Sequence, residues 1–212
     1  MSEKYQNKYR VKSHRMPGWD YSDNGYYYIT IVSQNRVSNL GKIDNNEMVL
    51  SDFGIIVKTE FLKSFEIRNE LFLGECIIMP NHIHAIIILN KSELDDLLVN
   101  DDLLVNVETH GRASLHNHNH NRTNNPIPPI RKPKSISSFI AGFKSAVNTK
   151  IDNYIDENNL DIPKYNRKNH FFQSNYHDRI IRDDAEYNRI KNYIINNPKN
   201  WNNDRFNNYS NF

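Results

Sequence analysis

The order in which apolar periodicity changes along this chain constrains its fold more than any other feature. Tyr26-Tyr27-Tyr28-Ile29-Thr30-Ile31-Val32 is aromatic and β-branched, which predicts a strand. Gly41-Lys42-Ile43 and Met48-Val49-Leu50 flank Asn45-Asn46, a signal for a small hairpin or turn. From Ser51 to about Ile67, apolar residues at Ile55, Ile56, Phe61, Leu62 and Phe65 predict a helix with Ser51 or Asp52 as N-cap. Residues 71–79 and 83–89 read as two strands separated by Pro80-Asn81. A second helix, from Ser135 to about Tyr154, carries Phe139, Phe143, Val147 and Ile151 at i, i+4, i+8 and i+12. Residues 171–181 read as a weaker extended segment. A last helix over 183–197 is capped by Asp183 or Asp184 and stopped by Pro198. Four strands with two crossover helices on one face predict an α+β, ferredoxin-like (RRM-like) antiparallel sheet. The last helix is left over and must pack elsewhere.

The 212 residues suit one domain with appendages. The longest apolar tracts are short, as in Ala85-Ile86-Ile87-Ile88-Leu89. None approaches the roughly 18 residues of a membrane span. The first residues lack an apolar signal region, so the expectation is a soluble, cytoplasmic protein with no membrane partner. Cys76 is the only cysteine, which excludes an intrachain disulfide and a cysteine-based zinc cluster. With 27 Lys and Arg against 25 Asp and Glu, the net charge of +2 excludes a polycation.

That balance conceals a segregation. Residues 92–108 carry six acids (Glu93, Asp95, Asp96, Asp101, Asp102, Glu108) and no Lys or Arg, so the remainder has 27 bases against 19 acids, or +8. The same stretch repeats Asp-Asp-Leu-Leu-Val-Asn in tandem at 95–100 and 101–106. His116-Asn117-His118-Asn119-His120-Asn121 and Pro126-Ile127-Pro128-Pro129 follow. Residues 91–134 therefore read as one low-complexity, flexible insertion, more a polar repeat than a metal-binding tract. The expected organisation is a basic arm over 1–20, a single domain built from 21–90 and 135–200, and a tail over 201–212.

Two constellations carry chemistry. In Met79-Pro80-Asn81-His82-Ile83-His84, residues two apart on a strand share a face, so His82 and His84 project together. Two adjacent imidazoles can chelate one divalent cation; the plain alternative is a hydrogen-bonded pair of core histidines. On the last helix, Tyr187, Ile190 and Ile194 form an apolar stripe, and Tyr193 and Asn197 stack beside it at i, i+4. A phenol one turn from an amide oxygen can present a nucleophile and a metal ligand to one point. Asn197 precedes Pro198 and is expected at a frayed helix end, with its side chain free to turn.

These residues resemble a family. Met79-Pro80-Asn81-His82-Ile83-His84 is similar to the HUH motif (His, hydrophobic, His) of single-tyrosine transposases. More specifically, the chain resembles the REP-associated tyrosine transposases and their insertion-sequence relatives. Residues 21–36 resemble the family's first strand, Gly142-Phe143-Lys144-Ser145-Ala146-Val147 its second helix, residues 172–182 the block before the catalytic helix, and Tyr193-Ile194-Ile195-Asn196-Asn197-Pro198 the end of that helix. The chain departs from the family pattern at Phe172-Gln173-Ser174, usually Trp-Gln-Arg, and at Arg179, often His.

The resemblance implies His82 and His84 as metal ligands, Tyr193 as nucleophile and Asn197 as a third ligand. It implies Mg²⁺ or Mn²⁺ as cofactor and hairpin-forming single-stranded DNA as substrate, cleaved and joined through a covalent 5′-phosphotyrosine in transposition or repeat mobilisation. On oligomeric state the resemblance points two ways: the insertion-sequence relatives imply a homodimer with exchanged catalytic helices, the REP-associated ones a monomer. Single-stranded DNA calls for a cationic groove. Its candidates are Lys8, Arg10, Lys12 and Arg15 in the arm, with Arg131, Lys132, Lys134, Lys144 and Arg179. Two competing readings are a domesticated single-stranded nucleic-acid-binding protein without cleavage and a metal-dependent hydrolase, which leaves Tyr193 without a role.

Overall fold

The computed structural model describes residues 18–91, 132–166 and 168–207, together with the backbone of two short paired strands, β1 (Lys4–Tyr5) and β2 (Lys8–Tyr9). The aromatic run after Gly25 is strand β3 (Gly25–Val32). Its alternation divides two environments: Tyr27, Ile29 and Ile31 enter the major core, whereas Tyr28 packs with a smaller cluster on the opposite face. The turn at Asn45-Asn46 closes a hairpin of β4 (Gly41–Asp44) and β5 (Glu47–Leu50), with both asparagines at positive φ.

The expected pair of apolar strands is present as β6 (Leu71–Met79) and β7 (His82–Leu89). With β8 (His177–Ile181) they complete a four-stranded antiparallel sheet in the order β6-β7-β3-β8. This is the strand order and antiparallel pairing that the ferredoxin-like expectation requires. Helices α1 (Asp52–Glu66) and α2 (Ile136–Glu157) cover the major-core face. Phe61 from α1 meets Phe139 and Phe143 from α2 edge-on, at ring-centre separations of 5.9 and 5.2 Å. Ser51 caps α1 by accepting from the Gly54 amide at 3.1 Å, and Ser135 begins α2 with a reciprocal Ser135–Ser138 box.

The left-over helix, α3 (Asp184–Asn196), lies on the opposite face of the sheet. Ile190 and Ile194 join Ile86 and Ile181 there, with Tyr28, Ile77 and Tyr187 at the margin. The result is three layers, helix pair, sheet, single helix.

Two expectations need adjustment. Of residues 171–181, only His177–Ile181 forms a strand of the sheet. Phe171 and Phe172 are both buried and pack edge-on at 4.8 Å, which strand alternation does not allow. Phe172 instead makes a single bridge to Ser33. The expected tail also begins inside the fold: after a short 3₁₀ turn (Pro198–Asn203), residues 204–207 return to the sheet, where the Asn81 amide donates to the Phe206 carbonyl at 2.8 Å. No helix among the described residues is long and apolar enough to cross a membrane. Residues 92–131 of the expected insertion over 91–134, and most of the basic arm, lie outside the described residues.

Candidate active site

Strand alternation places His82 and His84 on the α3 side of β7, while Ile83, Ala85 and Ile87 enter the major core. Both histidines are 0% exposed, and their ring centres are 4.4 Å apart. Antiparallel register sets Val32 opposite His82 and Thr30 opposite His84. His84 Nδ1 thereby lies 2.9 Å from Thr30 Oγ1 and 2.8 Å from the Tyr28 hydroxyl, and the Tyr28 ring stacks on it. His82 Nδ1 lies 2.8 Å from Asn81 Oδ1.

Burial pushes the His82 imidazole down to about 3 from its ordinary 6.5, and the nearby Arg205 charge acts in the same direction. Burial also holds His84 well below 6.5, reinforced by His82, Arg205 and His177. Both rings are therefore neutral at pH 7, the form that binds metal.

Tyr193 reaches the pair from α3. Its hydroxyl is 3.5 Å from His84 Nε2, and its ring meets Tyr28 edge-on. The residue is 44% exposed, so it lies at the open margin of an otherwise buried cluster. Burial and the Asp204 carboxylate raise the phenol above its usual 10, whereas Asn197, as hydrogen-bond partner, and the Arg205 charge oppose that rise.

Asn197 does not lie at a frayed end. It keeps α-helical geometry (φ −58°, ψ −42°) and is buried, because Pro198 opens the next helical turn, where a missing N–H costs nothing. Its Oδ1 is a buried acceptor without a hydrogen-bond partner.

Asp204, beyond the last helix, is the site residue that sequence reasoning missed. Its carboxylate is 4.0 Å from His82 Nε2, and the ligand atoms of His82, His84 and Asp204 all lie within 4.8 Å of one another. His82 Nε2 is likewise buried without a hydrogen-bond partner. Two neutral imidazoles and a carboxylate form a donor set that fits a divalent cation. Nothing in the spacing from His84 to Asp204 signals this meeting. Tyr28 and Thr30 were hidden for another reason, since only the β3–β7 register brings them to His84.

Among the described residues, most of the candidate DNA contacts are engaged within the fold. The Lys132 amino group pairs with Asp20, and Arg179 pairs with Glu186 at 2.5 Å. Lys144 donates to the Gln173, Ser174 and Asn175 carbonyls, clamping that loop. Lys134 is exposed ahead of α2. Lys8 is described only as backbone in β2, and Arg10, Lys12, Arg15 and Arg131 lie outside the described residues.

The architecture defines an α+β sheet protein with a buried ligand cluster beneath a tyrosine-bearing helix. No family model matches the chain. An uncharacterized protein of Haemophilus influenzae is 28% identical over 198 residues, covering 92% of this chain and 91% of that one. The chain shares its fold with a REP-associated tyrosine transposase solved bound to a REP hairpin. The TM-score is 0.50 at 15% identity, over 88% of this chain and 74% of that one. A Deinococcus radiodurans R1 structure, provisionally assigned as a transposase, gives a TM-score of 0.41 at 13% identity, over 86% of this chain and 95% of that one.

Proposed function

We propose that this chain is a single-tyrosine DNA strand transferase of the HUH type, acting on hairpin-forming single-stranded DNA. The observation that carries this reading is the approach of the Tyr193 hydroxyl to within 3.5 Å of His84 Nε2, beside the unpaired His82 Nε2. A core histidine pair of purely structural use needs no phenol at that point and leaves no buried nitrogen without a partner.

His82 and His84 are the expected nitrogen ligands of Mg²⁺ or Mn²⁺, with Asn197, the C-cap of α3, as the oxygen ligand. Such a cation, when bound, polarises a scissile phosphate and offsets its charge. Tyr193 supplies the nucleophile. Its oxygen forms a bond to phosphorus as the bond from phosphorus to the 3′-oxygen breaks. The phenol proton is lost and the departing oxygen gains one, leaving a 5′-phosphotyrosine and a free 3′-OH. Because one phosphodiester replaces another, a second 3′-OH can reverse the step and join strands without ATP. Tyr193 and the histidines meet within one chain, so the reading needs no exchanged helix.

The test incubates labelled single-stranded hairpin DNA with the protein and Mn²⁺ and resolves the products on a denaturing gel. A covalent adduct that Tyr193→Phe abolishes is the expected outcome. An adduct that survives Tyr193→Phe overturns the tyrosine assignment, and Tyr176 is then substituted next. Hairpin binding without any adduct indicates a nucleic-acid-binding protein instead, and cleavage without an adduct indicates a hydrolase.

A further inference from the structure

Asn81, in the turn between β6 and β7, is fully buried and belongs to neither histidine nor helix. Its side-chain nitrogen donates to the Arg36 carbonyl at 3.0 Å and to the Phe206 carbonyl at 2.8 Å. Carbonyls only accept, so the NH₂ group must face them, and the amide cannot be turned round without placing oxygen against oxygen. Oδ1 is then fixed towards His82 Nδ1. An amide oxygen also only accepts, so Nδ1 carries the proton of the neutral ring and the lone pair lies on Nε2. That nitrogen is the one without a partner, 4.0 Å from the Asp204 carboxylate.

The same amide holds the far side of the cluster. Phe206, whose carbonyl Asn81 grips, donates its own N–H to Asp204 Oδ1 at 2.6 Å. Its ring also packs on His82 at 4.8 Å. One buried side chain therefore touches a strand residue and a segment more than a hundred positions away, both of which present donors to one point.

We propose that Asn81 is a positioning residue that assembles the cation site by turning the His82 lone pair inward and fastening the post-helix segment whose Asp204 is a ligand. This rests on the metal-binding part of the function proposed above and adds a carboxylate ligand to it. Orienting partners of this kind change metal affinity by about 10–100-fold when removed.

The experiment uses the full chain and two readouts independent of DNA cleavage. Long-range ¹⁵N–¹H NMR of the metal-free protein reports the His82 tautomer, and calorimetric titration with Mn²⁺ reports affinity. The expected wild-type result is a proton on His82 Nδ1. Asn81→Ala should lose that preference and bind Mn²⁺ about 10–100-fold more weakly. Asp204→Ala should weaken Mn²⁺ binding at least as much while leaving the His82 tautomer unchanged. A wild-type His82 protonated on Nε2, or Asp204→Ala binding Mn²⁺ as tightly as wild type, overturns the proposal. If Asn81→Ala does not fold, the wild-type spectrum and Asp204→Ala still decide it. Adduct formation that persists with either overturning result leaves the strand-transfer reading standing. A wild-type protein that binds no Mn²⁺ removes both ligand assignments.

Discussion

His82 shows what one buried side chain costs and enables. In the unfolded chain its imidazole takes up a proton near 6.5, whereas in the fold it resists protonation down to about 3. Between those limits the unfolded state binds more protons, so stability is complete above pH 6.5 and falls as the pH drops towards 3. His84 acts in the same direction. Urea unfolding should therefore show a midpoint that declines from pH 7 to pH 5, before most carboxylates titrate. His82→Gln should flatten that decline; an unchanged slope would show that His82 does not govern it. At this scale the histidine pair was legible because strand alternation is a local rule, and Tyr193 with Asn197 because helical spacing is another. Asp204 was not legible, because its meeting with His82 depends on where a turn after α3 comes to rest.

Local signals also set the elements, and here the sequence was most readable. The serine caps of α1 and α2, the asparagine turn between β4 and β5, and the apolar repeats of the helices each depend on residues within a turn or two. The Phe171-Phe172 stretch misleads because both rings are drawn into the major core, against strand periodicity. Gly54 in α1 is similar, since nothing nearby in sequence explains it. Alanine in place of a helical glycine ordinarily stabilises by about 1 kcal/mol. At Gly54 an added Cβ would lie 2.0 Å from the Leu40 carbonyl oxygen, a backbone atom that cannot step aside. Gly54→Ala should therefore lower the thermal midpoint, with the sign opposite to propensity; a raised midpoint would show that α1 can shift from the hairpin.

Across the whole molecule, the two ends of the insertion are anchored at one place. The Lys91 backbone N–H donates to Asn24 Oδ1 at 3.0 Å and its amino group to the Ser22 carbonyl, while Lys132 pairs with Asp20. The chain thus leaves and re-enters the fold at the same turn. Loop-closure cost changes by only about 0.6 kcal/mol per doubling of length. Replacing residues 93–131 by a short Gly-Ser linker should therefore move the thermal midpoint by only a few degrees. Loss of cooperative unfolding would instead make the insertion part of the fold. The sheet order was legible from the sequence of elements, because few topologies satisfy it. The layer on the far face was not, because an amphipathic helix does not state which apolar surface it will cover.

That layering separates two duties. The major core, with α1 and α2 on one side of the sheet, holds the fold together, whereas α3 is held by a small aliphatic cluster around Ile190 and Ile194. Structures open locally at free energies set by the contacts each part must break. Lifting α3 breaks the smaller set, so an opening that separates Tyr193 from the histidines is expected at a lower free energy than unfolding of the sheet and its helix pair.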